Sequence, residues 1–337
     1  MRMAGYRNGQ FERLTSGLRL PVLGAPMFIA SCPDLVVAQC TSGIIGSMPA
    51  LNARPSAQLD EWLAEINERL AAWNTANPQR PAAPFAINQI VHKTNPRLEA
   101  DMALCAKHKV PIIISSLGAR EDVNQAVHGW GGITLHDIID DRFARKAVEK
   151  GADGLIAVAA GAGGHAGEQS PFALVQEIRR WFDGPLALSG AIATGASILA
   201  AQAMGADLAY IGSAFLATDE AHVSATQKQA MLEASAADIV YTDYFTGVRG
   251  NYLRASIVAS GLDPENLPKP ADAPDIGAKI GAKEGESKAW RDIWGCGQGV
   301  GAVDEIVPAA ALVARLEAEY GATVQSLGRR VRAFAPG

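Results

Sequence analysis

The feature that most constrains this chain is a recurrence. Short, continuous apolar runs bounded by Gly, Pro or Asn alternate with stretches of helical period through the first two-thirds of the sequence. Eight such runs stand out, at residues 21–27, 44–49, 85–89, 110–116, 132–138, 154–159, 186–190 and 208–215. A strand with one wet face alternates polar and apolar residues, whereas a parallel strand covered on both faces is apolar throughout. Most of these runs are of the second kind. Between them lie amphipathic segments such as 57–73, 141–150, 172–182 and 196–204. An internal echo reinforces the pattern. Glu149-Lys-Gly-Ala-Asp153 and Ala203-Met-Gly-Ala-Asp207 both end a helix on glycine, where a left-handed cap is needed, and turn straight into an apolar run.

Eight strands alternating with helices predict an α/β chain folded as a closed (β/α)8 TIM barrel, with an open doubly wound sheet as the alternative for the same pattern. After residue 217 the texture changes. Residues 222–237 are Ala/Gln/Glu-rich and helical, 241–249 are aromatic and mixed, 261–286 are rich in Pro, Asp and Gly, and 309–327 form a closing helix. The expected organisation is a barrel of residues 1–217 and 287–337 carrying an appended helical cap domain at 218–286, with a return to the barrel at 294–303. Composition leaves 261–286 open between a lid loop and a flexible tether.

Composition also narrows function. Hydrophobic residues make up 48% and charged residues 19%, with a net charge of −5, and no block of Lys or Arg gathers into a phosphate-tracking patch. Nucleic acid is not an expected partner. No apolar run reaches the roughly 18 residues of a spanning helix, and the charged N-terminus lacks the apolar core of a signal peptide, so a cytoplasmic location is expected. The four scattered cysteines read as reduced thiols. Cys105 and His108 lie three apart, but no second such pair accompanies them and no metal is expected.

In a parallel barrel the working face lies at the C-terminal ends of the strands. Here the seventh run ends Ala187-Leu-Ser-Gly-Ala-Ile192 and the eighth Tyr210-Ile-Gly-Ser-Ala-Phe215. Glycines at adjacent strand ends let backbone N–H groups approach a phosphate, aided by the following helix N-termini; the plainer reading is tight turns alone. No GxxxxGK[ST] loop is present, which disfavours a nucleoside triphosphate. After the sixth run, Gly161-Ala-Gly-Gly-His-Ala-Gly167 places His165 on the active rim without bulky neighbours in sequence. An imidazole with an ordinary pKa near 6.5 suits proton transfer. His92 and His136 lie at strand ends and compete for the pocket, while His108, His128 and His222 read as surface residues.

Gly24-Ala-Pro-Met27, Phe85-Ala-Ile-Asn88, Gly163-Gly-His-Ala-Gly167, Ser189-Gly-Ala-Ile192 and Ile211-Gly-Ser-Ala-Phe215 occur in the order seen in nitronate monooxygenases. The chain resembles that family, formerly called 2-nitropropane dioxygenases, which is related to flavin-dependent enoyl-ACP reductases and NAD(P)H:quinone reductases. The resemblance covers most of residues 20–217, with an echo in Trp294-Gly-Cys-Gly-Gln-Gly-Val300. It implies FMN in a barrel with a helical second domain. Ala25, Pro26 and Met27 would lie beside the flavin ring, and Asn88 would bind its polar edge. Gly190, Ala191, Gly212 and Ser213 would hold the phosphate, Gln298 and Gly299 would touch the cofactor, and Gly163, Gly164 and His136 would line its site. His165 would be the acid/base residue near the flavin N5.

The chain departs from the family at Ile114-Ser-Ser-Leu-Gly118, where the best-known members carry a second histidine, and at Ala191, where a glycine is usual. The first difference bears on the substrate. The expected activity is nitronate or nitroalkane oxidation using O2. The alternative is NAD(P)H-dependent reduction of a quinone or enoyl thioester, with Arg249 and Arg254 near a nicotinamide co-substrate. A flavin-binding protein without turnover, and a flavin-free phosphosugar isomerase or lyase, complete the set, because one barrel serves many chemistries. A homodimer is the base-rate expectation.

Overall fold

A computed structural model describes residues 8–268 and 292–332. The strands are β1 (Val22–Gly24), β2 (Gly46–Pro49), β3 (Phe85–Ile90), β4 (Ile112–Ser116), β5 (Ile133–Ile138), β6 (Gly154–Val158), β7 (Gly164–His165), β8 (Leu186–Ser189), β9 (Leu208–Ile211), β10 (Ile239–Thr242) and β11 (Gly250–Leu253). The helices are α1 (Asn8–Thr15), α2 (Pro33–Thr41), α3 (Ser56–Ala76), α4 (Leu98–Lys107), α5 (Glu121–Gly129) and α6 (Asp141–Glu149). They continue with α7 (Pro171–Arg179), α8 (Gly195–Met204), α9 (Ser213–Leu216), α10 (Ala225–Leu232), α11 (Arg254–Ala259) and α12 (Ala309–Arg332).

Eight strands pair in parallel in the order β1-β9-β8-β6-β5-β4-β3-β2. The ring closes because β1 also bonds the residue before β2: Gly24 N donates to Ile45 O at 2.8 Å and Ile45 N to Val22 O at 3.0 Å. The open-sheet alternative is thereby excluded, and the chain is a TIM barrel. The first and last strands are shorter than their apolar runs. Pro26 has no N–H for a ladder, so the chain leaves β1 there, and after Ile211 the eighth run turns at Gly212 into α9.

Alternation within the strands divides two apolar layers. Leu23, Ile45, Ala86, Ile112, Ile114, Ile133, Leu135, Ile156, Ala187 and Leu208 fill the barrel interior, and Phe11 of α1 plugs its N-terminal end. The intervening residues, such as Leu155, Ala157, Leu186 and Leu188, face the helices. Each fully buried Leu or Ile contributes about 1.5–3 kcal/mol by removal from water. The C-terminal helix α12 packs against α8 and α2 and takes the place of an eighth barrel helix. Gly195 permits this contact, since a Cβ there would lie 2.1 Å from Tyr320 N.

Beyond residue 217 the described chain holds α10, inside the stretch 222–237 that the composition marks as helical, and α11, which the composition did not mark. It also holds an antiparallel ribbon, β10–β11, that the mixed stretch did not announce. Tyr252 and Ile257 pack there with Ile293. Of the Pro/Asp/Gly-rich stretch 261–286, residues 269–286 lie outside the described residues. No helix among the described residues is long and apolar enough to cross a membrane.

Candidate active site

A cavity of about 430 Å³ opens at the C-terminal mouth of the barrel. Every residue expected to form the site lines it except His136 and Gln298. The glycine segments from three parts of the chain pack backbone to backbone at one side. Gly161 O accepts from Gln298 N at 2.9 Å and from Ala191 N at 3.3 Å, and Gly297 N donates to Ser213 Oγ at 2.8 Å. A Cβ on Gly163 would lie 2.8 Å from Gly297 N, and one on Gly297 would lie 2.6 Å from Gly161 O. Only glycine allows this approach. The Gln298 side chain stands over Gly161 rather than on the wall, leaving Gly299, with Gly295 and Gly297, as the cavity contacts of the returning segment.

The helix following the seventh barrel strand has protein groups at its N-terminus. α8 begins at Gly195, whose N–H donates to Glu319 Oε2 at 2.7 Å, and Thr194 forms a capping box with Ser197. Its terminus is already capped by protein. The strand-end backbone at Gly190, Ala191, Gly212 and Ser213 lies on the cavity wall. Ala191 sits at φ +55°, in the left-handed region that glycine normally fills. Ile29 and Leu117 share that region and also line the cavity.

His165 forms β7, a two-residue strand. It pairs with Gly250 of β11 in the β10–β11 ribbon, and Tyr241 Oη donates to Ala166 O at 2.8 Å. A side chain at Gly250 would lie 2.8 Å from Gly164 O, so the ribbon reaches β7 only through glycine. The imidazole Nε2 is 2.9 Å from Thr246 Oγ1, and Thr246 donates to Val248 O at 3.0 Å. With that hydroxyl proton committed to the carbonyl, Thr246 accepts from Nε2–H, and the ring's lone pair resides on Nδ1. Burial pushes the His165 pKa down to about 4, so the ring is neutral at pH 7. Thr246 is a site residue that sequence reasoning missed. It lies 81 positions from its partner, and no local pattern connects them.

His136 is displaced from its expected role by strand parity. On β5, Ile133 and Leu135 point inward, so His136 points outward and Asp137 inward. The His136 ring contacts the carbonyls of Asp137 and Gly118 behind the wall, while Asp137 lines the cavity. Burial raises the Asp137 pKa, opposed by the charge of His136 and by hydrogen bonds from Ser116 and the Leu117 backbone. On the neighbouring floor, Asn88 Nδ2 donates to Ser116 Oγ at 2.6 Å and to Ile114 O at 3.1 Å. Its two amide hydrogens are thus committed and Oδ1 is left as the acceptor. Arg249 and Arg254 pair with Glu168 and Glu265 respectively.

His92 lies off the cavity, with Nδ1 2.8 Å from Thr94 Oγ1, whereas His222 is exposed, as expected, and also lines the cavity. All four cysteines are buried and unpaired, and the described residues contain no cluster suited to a metal ion.

The nitronate monooxygenase family model matches residues 15–319. The chain belongs to that family. It is 27% identical to a nitronate monooxygenase of Paraburkholderia phytofirmans over an alignment covering 92% of this chain and 95% of the relative. Among solved structures, a nitroalkane oxidase from Streptomyces ansochromogenes superposes with a TM-score of 0.76 at 24% identity, covering 93% of this chain and 99% of that one. A mutant form of FabK from Thermotoga maritima superposes at 0.75 with 25% identity, covering 97% of this chain and 99% of that one. The former likeness speaks to fold alone. Family membership makes this chain a flavin-dependent oxidoreductase.

The cavity suits such a cofactor on its own chemistry. Its volume lies within the usual range of about 300–1,000 Å³ for cofactor sites. The glycine strand ends suit a phosphate, and the Asn88 Oδ1 acceptor matches the single N–H of a flavin's pyrimidine edge.

Proposed function

We propose that this enzyme binds FMN and oxidises a nitronate or nitroalkane with O2, using His165 to handle the substrate proton. The observation that carries the reading is the neutral imidazole on the cavity wall, held through Nε2 by Thr246. Backbone at Gly190, Ala191, Gly212 and Ser213 would bind the phosphate, Asn88 would accept from the ring N3–H, and Ala25, Pro26 and Met27 would flank the ring. Gly163, Gly164 and Gly299 would close the remaining wall. FMN, when bound, supplies the redox chemistry by accepting a hydride equivalent or an electron and passing electrons to O2.

The lone pair on His165 Nδ1 accepts a substrate proton. A pKa near 4 makes the ring a weak base, which suits only an acidic C–H such as one α to a nitro group, or the orientation of a nitronate already ionised in solution. The strand-four segment Ser115-Ser-Leu117 supplies no second base. By this reading, the barrel of residues 1–217 and 287–337 holds the cofactor, and the segment 218–286 fixes the imidazole.

A second reading draws support from the apolar mouth. Phe28, Ile29, Leu51 and Leu117 line the cavity, and Ile29 is exposed. Such a mouth suits a flat neutral acceptor, a quinone or enoyl thioester, reduced at the expense of NAD(P)H. Mixing the FMN-loaded protein anaerobically with propionate 3-nitronate, NADH and NADPH in turn separates the two. Rapid bleaching by the nitronate is the expected result. Bleaching by a reduced nicotinamide alone overturns the monooxygenase reading.

A further inference from the structure

Asp137 takes no part in the chemistry above. Its side chain keeps 32% of its surface accessible and lines the cavity, so a ligand in the cavity can reach it. Ser116 and the Leu117 N–H hydrogen-bond the carboxyl from the end of β4. Ser116 in turn accepts from Asn88, whose Oδ1 is the acceptor suited to a flavin N3–H. The carbonyls C2=O and C4=O flank N3–H on that edge, and negative charge collects on the pyrimidine ring when a flavin takes up a hydride. Asn88, Ser116 and Asp137 therefore follow one another across adjacent strands, along the floor where that charge would develop.

We propose that Asp137 is the proton site for flavin reduction in this enzyme, a carboxylate beside the oxidised ring and a neutral carboxylic acid beside the reduced one. The inference rests on the FMN reading. The reductant delivers two electrons and one proton as a hydride equivalent to N5. The second proton comes from solvent and forms an O–H bond on Asp137. It leaves again when O2 withdraws the electrons.

The other titratable groups near Asp137 are few. His136 Nδ1 lies 3.9 Å from Oδ1 on the same strand, and Tyr210 of β9 feels the Asp137 charge across the floor. Among the described residues lining the cavity, Tyr210, His165 and His222 are the other ionisable side chains, and none is Lys or Arg. Burial already raises the Asp137 pKa, and a negative charge beside it moves the pKa further the same way.

The test is the two-electron midpoint potential of the FMN-loaded protein measured against pH, for wild type and Asp137→Asn. Each proton taken up changes the equilibrium constant tenfold per pH unit, about 30 mV for a two-electron couple. Between pH 6 and 8 the wild-type slope should exceed that of Asp137→Asn by that amount. Equal slopes overturn the proposal. Should the variant fail to fold, reduced-minus-oxidised infrared spectra of the wild type decide. A carboxylic-acid C=O band that appears on reduction and shifts in D2O supports the assignment, and its absence overturns it. A protein that takes up no FMN overturns the cofactor reading first, which absorbance shows before any potential is measured.

Discussion

Thr246→Val tests whether the Thr246 hydroxyl holds the imidazole. Thr246 is buried, and its hydroxyl meets His165 Nε2 at 2.9 Å, Val248 O at 3.0 Å and Val248 N at 3.3 Å. Valine fills nearly the same volume, so no cavity opens and the ribbon keeps its apolar packing. What is lost is the hydroxyl: the acceptor for Nε2–H and, with it, the bonds to Val248 O and Val248 N. Leaving a buried donor without a partner costs about 1–3 kcal/mol. The ring avoids part of that cost by turning toward other acceptors, which misplaces Nδ1. A loss of roughly one to two kcal/mol of transition-state stabilisation corresponds to roughly a 5- to 30-fold fall in turnover. FMN affinity should not change, because Thr246 stands apart from the strand ends assigned to the phosphate. Steady-state kcat and a fluorescence titration of FMN measure the two quantities. Thr246→Ser keeps the hydroxyl and should recover most of the activity. In a His165→Asn background the Thr246→Val change should cost almost nothing further, since the two residues act as a unit. Full activity in Thr246→Val, or additive losses in the double variant, would refute the positioning role.

His165→Asn should retain FMN but lose at least about 10²-fold in turnover, the size of a general acid–base contribution, as read by kcat in the loaded enzyme. The pH profile should reflect a histidine whose pKa lies near 4. Turnover of a substrate that does not itself titrate should stay level down to about pH 5, then fall as the ring protonates. The same shift has a sign for stability: the folded chain binds fewer protons than the unfolded chain between about pH 4 and 6.5, so urea midpoints should decline as pH drops through that window. Gly195→Ala forces a methyl to 2.1 Å from Tyr320 N, where backbone must move. Overpacking of that kind costs about 3 kcal/mol and should appear as a lowered denaturation midpoint.

Much of the fold is legible in the sequence because burial on both faces writes itself as uninterrupted apolar runs, and all eight barrel strands lie within them except that β3 runs one residue further, to Ile90. Their ends are less legible. Pro26 and Gly212 stop their ladders for backbone reasons that hydrophobicity does not register. The site divides similarly. The glycine strand ends and His165 announce themselves because backbone proximity demands glycine there. His136 and Asp137 are adjacent in sequence, and counting from inward Leu135 in steps of two selects the carboxylate over the imidazole. Thr246 and the β7–β11 pairing join distant segments through a strand of two residues, too short to carry a period. The capping of α8 by Glu319 likewise depends on where α12 docks.

The docking of α12 also bears on how the chain is made. β1 has its ladder partner in β9, with Val22 opposite Ala209, and α12 packs beside α2, where Arg19 pairs with Glu317. During synthesis from the N-terminus, the ring cannot close until the residues of β9 have left the ribosome. The helix layer cannot seal until α12 follows. Contacts of such long sequence separation form slowly, and until they form, the apolar face of α2 and the edge of β1 stand uncovered. A truncation within α12 would therefore reach beyond the loss of one helix: it would leave a nearly complete barrel with its seam open, a substrate for chaperones and proteases rather than a smaller enzyme.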